Sequence, residues 1–295
     1  MNIQKYIAFL KTVETHSLSR AAELMNYTQP GISHMLSSLE EDVGFPLLVR
    51  TKGGVFPTEN AEQLLYYMQQ IVSSEEALQQ TAKKILGMET GSLRIGTFNS
   101  TSAKWLPTII STFLSKHPDI DLQISEGAFG ELSAWLYSGA VDLAFMSTPE
   151  NKSCDFIPLW KDPILAILSS RHPLADRTSI DPQSLSQYPF IIPNTGADET
   201  IWQVLNAEKM IPTVRFRIKG DVATISMIKE NLGISLVPEM VITTTEGIVA
   251  IPLSRPYYRT LGIALPSLSH ASPAAKSFVD ITRDFISNHW KPYGS

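Results

Sequence analysis

SLSRAAELMNYTQPGISHMLSSLEEDVGFPLLVRTKGGVFPT, residues 17–58, is the stretch that decides the fold of this chain. It predicts two short helices joined by a tight turn at Asn26 and Tyr27. Ser19 and Thr28 are the expected caps of the two helices, because their hydroxyls can accept a hydrogen bond from a free backbone N–H group. Apolar residues recur at i, i+4 and i+7 in the second helix and so share one face. A short helix with an apolar back and a front of small hydrogen-bonding side chains suits the major groove of DNA.

A two-stranded wing is predicted directly after this helix pair. Residues 47–51 and 55–56 are strand-like, and a basic, glycine-rich turn at 52–54 joins them. A surface helix pair in an ordinary domain is the alternative, but two helices and a wing at this spacing favour DNA binding. The expected DNA-contacting residues are Ser19, Thr28, Gln29, Pro30, Ser33, His34, Ser37, Arg50 and Lys52. For His34, a solvated helix position and a contact to a base or phosphate are equally compatible with the sequence.

The same segment, continued through Ala61, resembles the DNA-binding module of the LysR-type transcriptional regulators. The shared motifs are the Ser-x-x-Ala-Ala run, the Thr-Gln-Pro-x-x-Ser start of the second helix, the Leu-Glu-x-x-x-Gly segment and the Arg-Thr of the wing. The resemblance continues, more loosely, over nearly all 295 residues. It departs from the family pattern at Gly31 and His34, where Ala and Arg or Lys are usual, and at Asn60-Ala61, which replaces Ala-Gly.

The resemblance implies an α/β protein with three parts. These are an N-terminal winged helix-turn-helix over residues 1–58, a long linker helix over 59–88 that pairs subunits, and a two-lobed, periplasmic-binding-protein-like α/β effector domain over 89–295. We expect such a protein to bind double-stranded promoter DNA as a homodimer or homotetramer. A small-molecule effector in the interlobe cleft would then change its conformation.

Charge supports DNA binding only weakly. The net charge is −5, and residues 1–60 hold five Lys or Arg against six Asp or Glu. Because cations that contact phosphate supply non-specific affinity and its salt dependence, we expect weak non-specific binding with a shallow salt dependence. Two or four modules in an oligomer can add their few contacts.

The sequence predicts no membrane, metal or catalytic chemistry. No apolar run reaches the roughly 18 residues of a membrane span, and the first residues are amphipathic rather than signal-like, so we expect a cytoplasmic protein. Cys154 is the only cysteine and is interpreted as a small, partly buried residue, with a redox sensor as the alternative. The histidines do not lie at metal-ligand spacing, and there is no nucleophile elbow, P-loop or dinucleotide fingerprint. We therefore expect no cofactor, no metal and no catalytic residues. A solute-binding protein for transport and an enzyme that uses the cleft are the alternatives.

A long helix is predicted from residue 59, with Glu59 near the positive end of its dipole. It is about 27 residues long, or roughly 40 Å. Its apolar positions are Ala61, Leu64, Leu65, Met68, Ile71, Val72, Leu78, Ala82 and Ile85. We expect this stripe to pack against the same helix of a second subunit, with packing on its own domain as the alternative. Gly87 and Gly91 are expected to end the helix and form a hinge.

From residue 92 short strands alternate with helices, which predicts a largely parallel sheet with helices on both faces. We expect lobe one at 89–162 and 266–295, and lobe two at 163–265.

Polar residues that follow the strands are the expected effector site, because ligands bind beyond the carboxyl ends of strands in open α/β sheets. They are Asn99, Ser100, Thr101, Ser147, Thr148, Asn194, Thr195 and Thr224. By resemblance their loops face one another across the cleft, although each residue singly could only cap a helix or fill a turn. No Arg or Lys lies in these loops, which predicts a small, modestly charged metabolite, with one carboxylate as an option. Trp202 is a candidate wall of the pocket, with core packing as the more ordinary role.

Overall fold

A winged three-helix module forms the first part of the protein. The structure, a computed structural model, describes residues 2–86, 90–149, 154–193, 198–288 and 290. The elements of the module are α1 (Ile3–Thr15), α2 (Leu18–Met25), α3 (Gln29–Val43), β1 (Leu48–Thr51) and β2 (Gly54–Pro57). Apolar side chains from all three helices and the wing are buried in its core, and Phe9, Ile32, Leu39 and Leu47 are fully buried. The predicted winged helix-turn-helix is therefore confirmed.

Side-chain caps fix where α2 and α3 begin. Thr28 caps α3 as predicted, since its Oγ1 accepts from the backbone N–H three residues later at 3.2 Å. The predicted cap of α2 was wrong: Ser19 lies inside the helix and is exposed, whereas Ser17 is the cap. Only Ser17 has the extended backbone that a cap needs, and its Oγ accepts from the N–H three residues later at 3.3 Å. Asn26 reverses the chain between the helices in a left-handed conformation, with φ 56°.

The wing is fixed against the end of α1 by a close backbone approach. The N–H of Val55 donates to the carbonyl of His16 at 2.9 Å. Gly54 has φ +128°, and a Cβ built there would lie 2.7 Å from that carbonyl oxygen. A larger residue would therefore push the wing away from the helices.

The linker helix α4 (Glu59–Ile85) runs for 27 residues and has two apolar faces. Thr58 caps it, because its Oγ1 accepts from the N–H of Ala61 at 3.2 Å. One face packs on the core of the winged module through Ala61, Leu64, Leu65, Met68 and Val72. The other face is exposed and carries Tyr67, Ile71, Leu78 and Ile85. The apolar positions that were predicted to form one stripe therefore lie on two faces. Packing against the winged module buries only one of these faces.

The rest of the chain alternates strands and helices as predicted. Gly87, half of the predicted hinge, lies outside the described residues, and Gly91 opens the first strand. The elements are β3 (Gly91–Thr97), α5 (Asn99–Lys104), α6 (Leu106–Lys116), β4 (Ile120–Glu126), α7 (Phe129–Tyr137), β5 (Leu143–Ser147), β6 (Asp155–Ser169), β7 (Pro189–Pro193), α8 (Asp198–Ala207), β8 (Thr213–Ile218), α9 (Asp221–Lys229), β9 (Ser235–Pro238), β10 (Ile248–Pro252), β11 (Tyr258–Leu265) and α10 (Pro273–Asn288).

The main sheet is mixed rather than largely parallel, so that part of the prediction was wrong. Its order is β10-β6-β11-β5-β3-β4, with β9 also paired to β6. Only β4, β3 and β5 run parallel, while β5–β11, β11–β6, β6–β9 and β6–β10 are antiparallel. The antiparallel pairs arise because β6 and β11 carry the chain between the lobes in opposite directions.

The position of β11 moves one predicted lobe boundary. This strand pairs with β5 of lobe one along Leu261–Ala264, so residues 258–265 belong to lobe one rather than to lobe two. The 15-residue β6 joins the lobes: its first half pairs with β11 and its second half with β9 and β10. Lobe two adds a separate parallel pair, β7–β8. Within the described residues, no helix combines the length and apolar character that a membrane crossing requires.

Candidate functional site

The front of α3 is the exposed polar surface of the winged module. Gln29, Pro30, His34 and Ser37 are exposed and Ser33 is half-buried on this face. Because the apolar residues on the back of α3 fill the core, the helix cannot rotate to hide its front. The neighbouring Ser38 differs from these residues, since its Oγ accepts from Nζ of a lysine in α1 at 2.9 Å.

Most cations of this module are already paired, but those of the wing are not. The intramodule ion pairs are Lys5–Asp42 at 2.7 Å, Lys11–Glu14 at 2.6 Å and Arg20–Glu23 at 2.8 Å. The bond from Lys5 lowers the pKa of Asp42. Arg50 and Lys52 are exposed and have no carboxylate partner in the described part of the chain. The weak overall charge therefore conceals two available cations beside α3.

A cavity of about 620 Å³ lies between the two lobes of the effector domain. Loops after β3 and β4 and the start of β11 supply its lobe-one side, and the loop before α9 supplies much of the other side. The lining residues are Phe98, Asn99, Ser100, Glu126, Gly127, Ala128, Phe129, Glu131, Lys219, Gly220, Asp221, Val241 and Arg259. This volume is in the range of small-molecule sites.

Asn99 and Ser100 are the two predicted effector residues that line this cavity. Thr101 does not, because it is fully buried and its Oγ1 lies 2.8 Å from the Thr97 hydroxyl and donates to the carbonyl of Phe98 at 2.9 Å. The structure therefore turns Thr101 away from this cavity for a local reason: a hydroxyl in the first turn of a helix bonds back to the backbone.

The other predicted effector residues lie elsewhere or outside the description. Thr224 is buried, and its Oγ1 donates to the carbonyl of the residue four positions earlier at 3.0 Å. Ser147 ends β5 and Thr148 follows it, and neither lines the cavity. Asn194 and Thr195 lie outside the described residues.

Trp202, the candidate wall of the pocket, packs against the core of lobe two. It does not line the cavity. This agrees with the more ordinary role considered for it.

The cavity has a charged floor that sequence reasoning missed. Arg259 is 5 % exposed, its Nε donates to Asp162 Oδ2 at 2.8 Å, and its Nη2 lies 2.7 Å from the same oxygen in an ion pair. Nη2 also lies 3.3 Å from Ser100 Oγ. The other oxygen of Asp162 accepts from the Met240 N–H at 3.0 Å. Burial raises the pKa of Asp162, and Arg259 opposes that rise.

Lys104, at the end of α5, extends this network into lobe two. Its Nζ donates to the carbonyls of Ile242 at 2.8 Å and Glu239 at 3.4 Å, and burial lowers the pKa of Lys104. The floor of the cavity is thus a polar contact between the lobes.

A second junction joins α4 to lobe one. Arg94 of β3 bonds Asp142 at 2.6 Å and Glu76 of α4 at 3.1 Å. Burial raises the pKa of Glu76 even though Arg94 opposes the change. Gln80 of α4 donates to the carbonyl of Ser92 at 2.9 Å. These bonds hold the C-terminal half of the linker helix against its own effector domain.

Helix α7 contacts both the cavity and the linker helix. Its first residue, Phe129, lines the cavity. Its last residue, Tyr137, stacks on Tyr66 of α4 with ring centroids 5.4 Å apart. Gly139 follows, and a Cβ built there would lie 3.0 Å from Gln69 of α4. One rigid element about 13 Å long therefore connects the two places.

Cys154 has the surroundings of an unreactive thiol. It is half-buried against the core of lobe one, and burial and the nearby Asp155 carboxylate raise its pKa. A raised pKa lowers the thiolate fraction, and the thiolate is the reactive form. Among the described residues, no group of three or more His, Cys, Asp or Glu could hold a metal ion.

Two family models match this chain. The model described as "Bacterial regulatory helix-turn-helix protein, lysR family" matches residues 3–62. The model described as "LysR substrate binding domain" matches residues 87–287. Among whole proteins, the uncharacterized HTH-type transcriptional regulator YvbU of Bacillus subtilis is 30% identical over 290 residues, covering 97% of this chain and 99% of the relative.

Solved structures share the architecture over similar lengths. A full-length OxyR variant from Pseudomonas aeruginosa aligns with a TM-score of 0.78 at 20% identity, covering 98% of this chain and 95% of that one. The effector binding domain of QuiR in complex with shikimate aligns with a TM-score of 0.62 at 24% identity, covering 68% of this chain and 100% of that one. At these identities the likeness establishes the fold alone.

Proposed function

This chain belongs to the LysR-type transcriptional regulators, and from that premise we propose that α3 reads promoter DNA, α4 pairs two subunits and the interlobe cavity binds the effector. The observation that carries the DNA proposal is the front of α3, which stays exposed beside the unpaired wing cations Arg50 and Lys52. Side chains at the start of α3 would contact base edges in the major groove, while the wing cations contact phosphate.

Selection from a randomised DNA library with the full-length protein tests this function. We expect enrichment of a dyad-symmetric sequence, because a symmetric dimer presents two copies of α3 to two half-sites. Failure to enrich any sequence over input would refute the DNA-binding proposal.

Ser33→Ala should weaken binding to the selected operator by about fivefold, the effect of losing one hydrogen bond. The melting temperature should not change, because Ser33 makes no side-chain hydrogen bond within the described residues. Ser38→Ala is the matched control: it removes the bond from Lys5 but should leave DNA affinity at the wild-type value. Fluorescence anisotropy measures both, and equal affinities for wild type and Ser33→Ala would place Ser33 outside the interface.

The exposed face of α4 supports pairing of subunits. Tyr67, Ile71, Leu78 and Ile85 recur at spacings of four, seven and seven, so they form one stripe along the helix. Heptad spacing is that of helices that pack against each other over a long contact. Other sides of α4 are already covered by the winged module and by lobe one, which leaves this stripe for a second copy.

The interlobe cavity supports the effector proposal. It contains Arg259 and the hydroxyl of Ser100 on its floor, and a similar effector domain, that of QuiR, was solved in complex with shikimate. Guanidinium and hydroxyl groups are donors for a carboxylate. We therefore assign the effector as a small molecule that carries a carboxylate.

Helix α7 is the proposed route from the effector to the linker helix. A ligand that contacts Phe129 and favours one lobe arrangement would shift α7 as a rigid body, and Tyr137 would transmit that shift to Tyr66. Such a ligand changes DNA binding only by its difference in affinity for the two arrangements.

Tyr137→Ala should uncouple the effector from DNA binding. Operator affinity without effector and effector affinity should each stay within about twofold of wild type, while the effector-induced change in operator affinity should fall severalfold, since a coupling of this kind is typically about 1–3 kcal/mol. Tyr137→Phe keeps the stacked ring and should keep the coupling. Anisotropy titrations with and without effector provide the measurement, and wild-type coupling in the alanine variant would exclude this route.

A further inference from the structure

The charges that line the interlobe cavity are separated by depth. Arg259, at the floor, is 5 % exposed and Ser100 beside it is 4 % exposed. Glu126, Glu131 and Lys219 are exposed at the other end, and Asp221 of lobe two is half-buried, so three carboxylates and one ammonium line the cavity away from the floor. A bound molecule therefore meets cationic and hydroxyl donors at one end and acidic groups at the other.

The floor retains capacity for an anion although Arg259 is paired. Asp162 is contacted by Nε and Nη2, whereas Nη1 has no hydrogen-bond partner among the described residues. The hydroxyl of Ser100 accepts from Nη2 at 3.3 Å and keeps its own O–H group to donate to a ligand.

The mouth offers a carboxylate that forms no ion pair within the described residues. Glu126 ends β4, is exposed and makes no ion pair in this part of the chain. Glu131 differs, because its carboxylate accepts from the N–H of Ala128 at 2.8 Å. Glu126 is accordingly the residue best placed to meet a cationic group of a ligand.

The section between floor and mouth is apolar. Phe98 and Phe129 meet edge to face with ring centroids 4.9 Å apart, and Val241 lines the opposite lobe. Phe98 also lies under the guanidinium of Arg259, 5.4 Å from the ring centroid. A ligand body without charges fits this section best.

We infer that the effector is a zwitterion with separated charges: a carboxylate bound at Arg259, an apolar body against Phe98 and Phe129, and an ammonium at Glu126. The inference rests on the proposed effector role of this cavity and adds the charge type of its ligand. A second carboxylate at the mouth would meet Glu126 and Glu131 against the single cation of Lys219 and be repelled on balance, and a ligand without a carboxylate would leave the floor donors unused.

Isothermal titration of the full-length protein with matched probes tests the charge type. On one ring skeleton the probes are 4-(aminomethyl)benzoate, benzoate, terephthalate and benzylamine; on one linear skeleton they are 6-aminohexanoate, hexanoate and adipate. The zwitterion of at least one skeleton should bind about fivefold more tightly than its monocarboxylate, the gain of one exposed ion pair, and more tightly still than the dicarboxylate. Benzylamine should not bind.

The variant Glu126→Gln should bring the affinities of the zwitterion and the monocarboxylate together. The matched control is Asp121→Asn, which makes the same charge change on the same strand at an exposed position outside the cavity and should keep the preference. Tighter binding of a dicarboxylate than of its zwitterion, an unchanged preference in Glu126→Gln, or no heat from either zwitterion at millimolar concentration would each overturn the inference. Operator binding is measured on the same samples to distinguish failure of this inference from failure of the proposed function. If the protein still binds its operator, only the inferred charge type of the ligand is refuted.

Discussion

We expect Arg259→Met to lower the melting temperature of the effector domain by about 10 °C at neutral pH. The substitution leaves the fully buried Asp162 without the guanidinium that pairs with it and donates a hydrogen bond to it through Nε. Breaking a buried ion pair by removing one partner costs about 3–5 kcal/mol. For a domain of roughly 200 residues, 1 kcal/mol corresponds to about 2–4 °C. All five tryptophans follow residue 100, so tryptophan fluorescence reports this domain separately from the winged module.

The decrease in melting temperature caused by Arg259→Met should be larger at neutral pH than at low pH. Burial raises the pKa of Asp162 and Arg259 lowers it, so removal of Arg259 raises that pKa further in the folded state. A carboxyl whose pKa is raised by folding contributes stability that is present below the unfolded pKa and is lost as pH rises through the folded pKa. The variant should therefore approach the wild type as pH falls and be most destabilised at neutral pH.

Arg171→Met is the matched control for this experiment. Arg171 is in the same domain and pairs with Glu230 at 3.6 Å, but both side chains are about two-thirds exposed. An exposed pair contributes up to about 1 kcal/mol, so the melting temperature should change by no more than a few degrees. If Arg259→Met and Arg171→Met have the same melting temperature, the Arg259–Asp162 pair does not stabilise the domain as a buried ion pair is expected to.

The winged module could be predicted from sequence because its signals are local. Thr28 caps a helix whose apolar residues recur within two turns, and both properties are visible within a dozen residues. The error at Ser19 is also local: two serines lie two positions apart, and sequence alone does not show which one has the extended backbone of a cap.

The floor of the cavity could not be predicted because its parts are distant in sequence. Arg259 and Asp162 are 97 residues apart in sequence. They meet because β11 and β6, which connect the two lobes, pair antiparallel and place them opposite each other. Asp162 also lies in a stretch that does not look like a strand, since Pro158 and Pro163 interrupt it. Proline lacks an N–H group and is usually found at bulges or strand ends. The partner register of β6 shifts beside Pro158, and Pro163 pairs with the first residue of β11, so both prolines occupy such positions.

Leu78→Glu combined with Ile71→Glu should produce a monomer that binds operator DNA at least about a hundredfold more weakly than wild type. Both side chains are exposed in the single chain, at 67% and 45%, so neither glutamate enters a core and the fold should persist. In the proposed pair, each glutamate would be buried against the apolar stripe of the partner helix. Loss of pairing removes the second DNA-binding head, and linked binding of two heads raises affinity by about 10²–10⁴.

Two control variants test whether the loss of DNA affinity comes from loss of subunit pairing rather than from added charge or a weaker helix. Gln79→Glu adds a glutamate to the adjacent exposed position, about 100° around the helix from Leu78, and should stay dimeric. Ile71→Leu with Leu78→Met keeps the face apolar and should keep both the dimer mass and the operator affinity. Analytical ultracentrifugation gives the mass and anisotropy the affinity. A double-glutamate variant that sediments as a dimer would show that this face of α4 does not hold the subunits together. A monomer with wild-type operator affinity would show instead that one head is sufficient, and the role proposed for the linker helix would fall with that result.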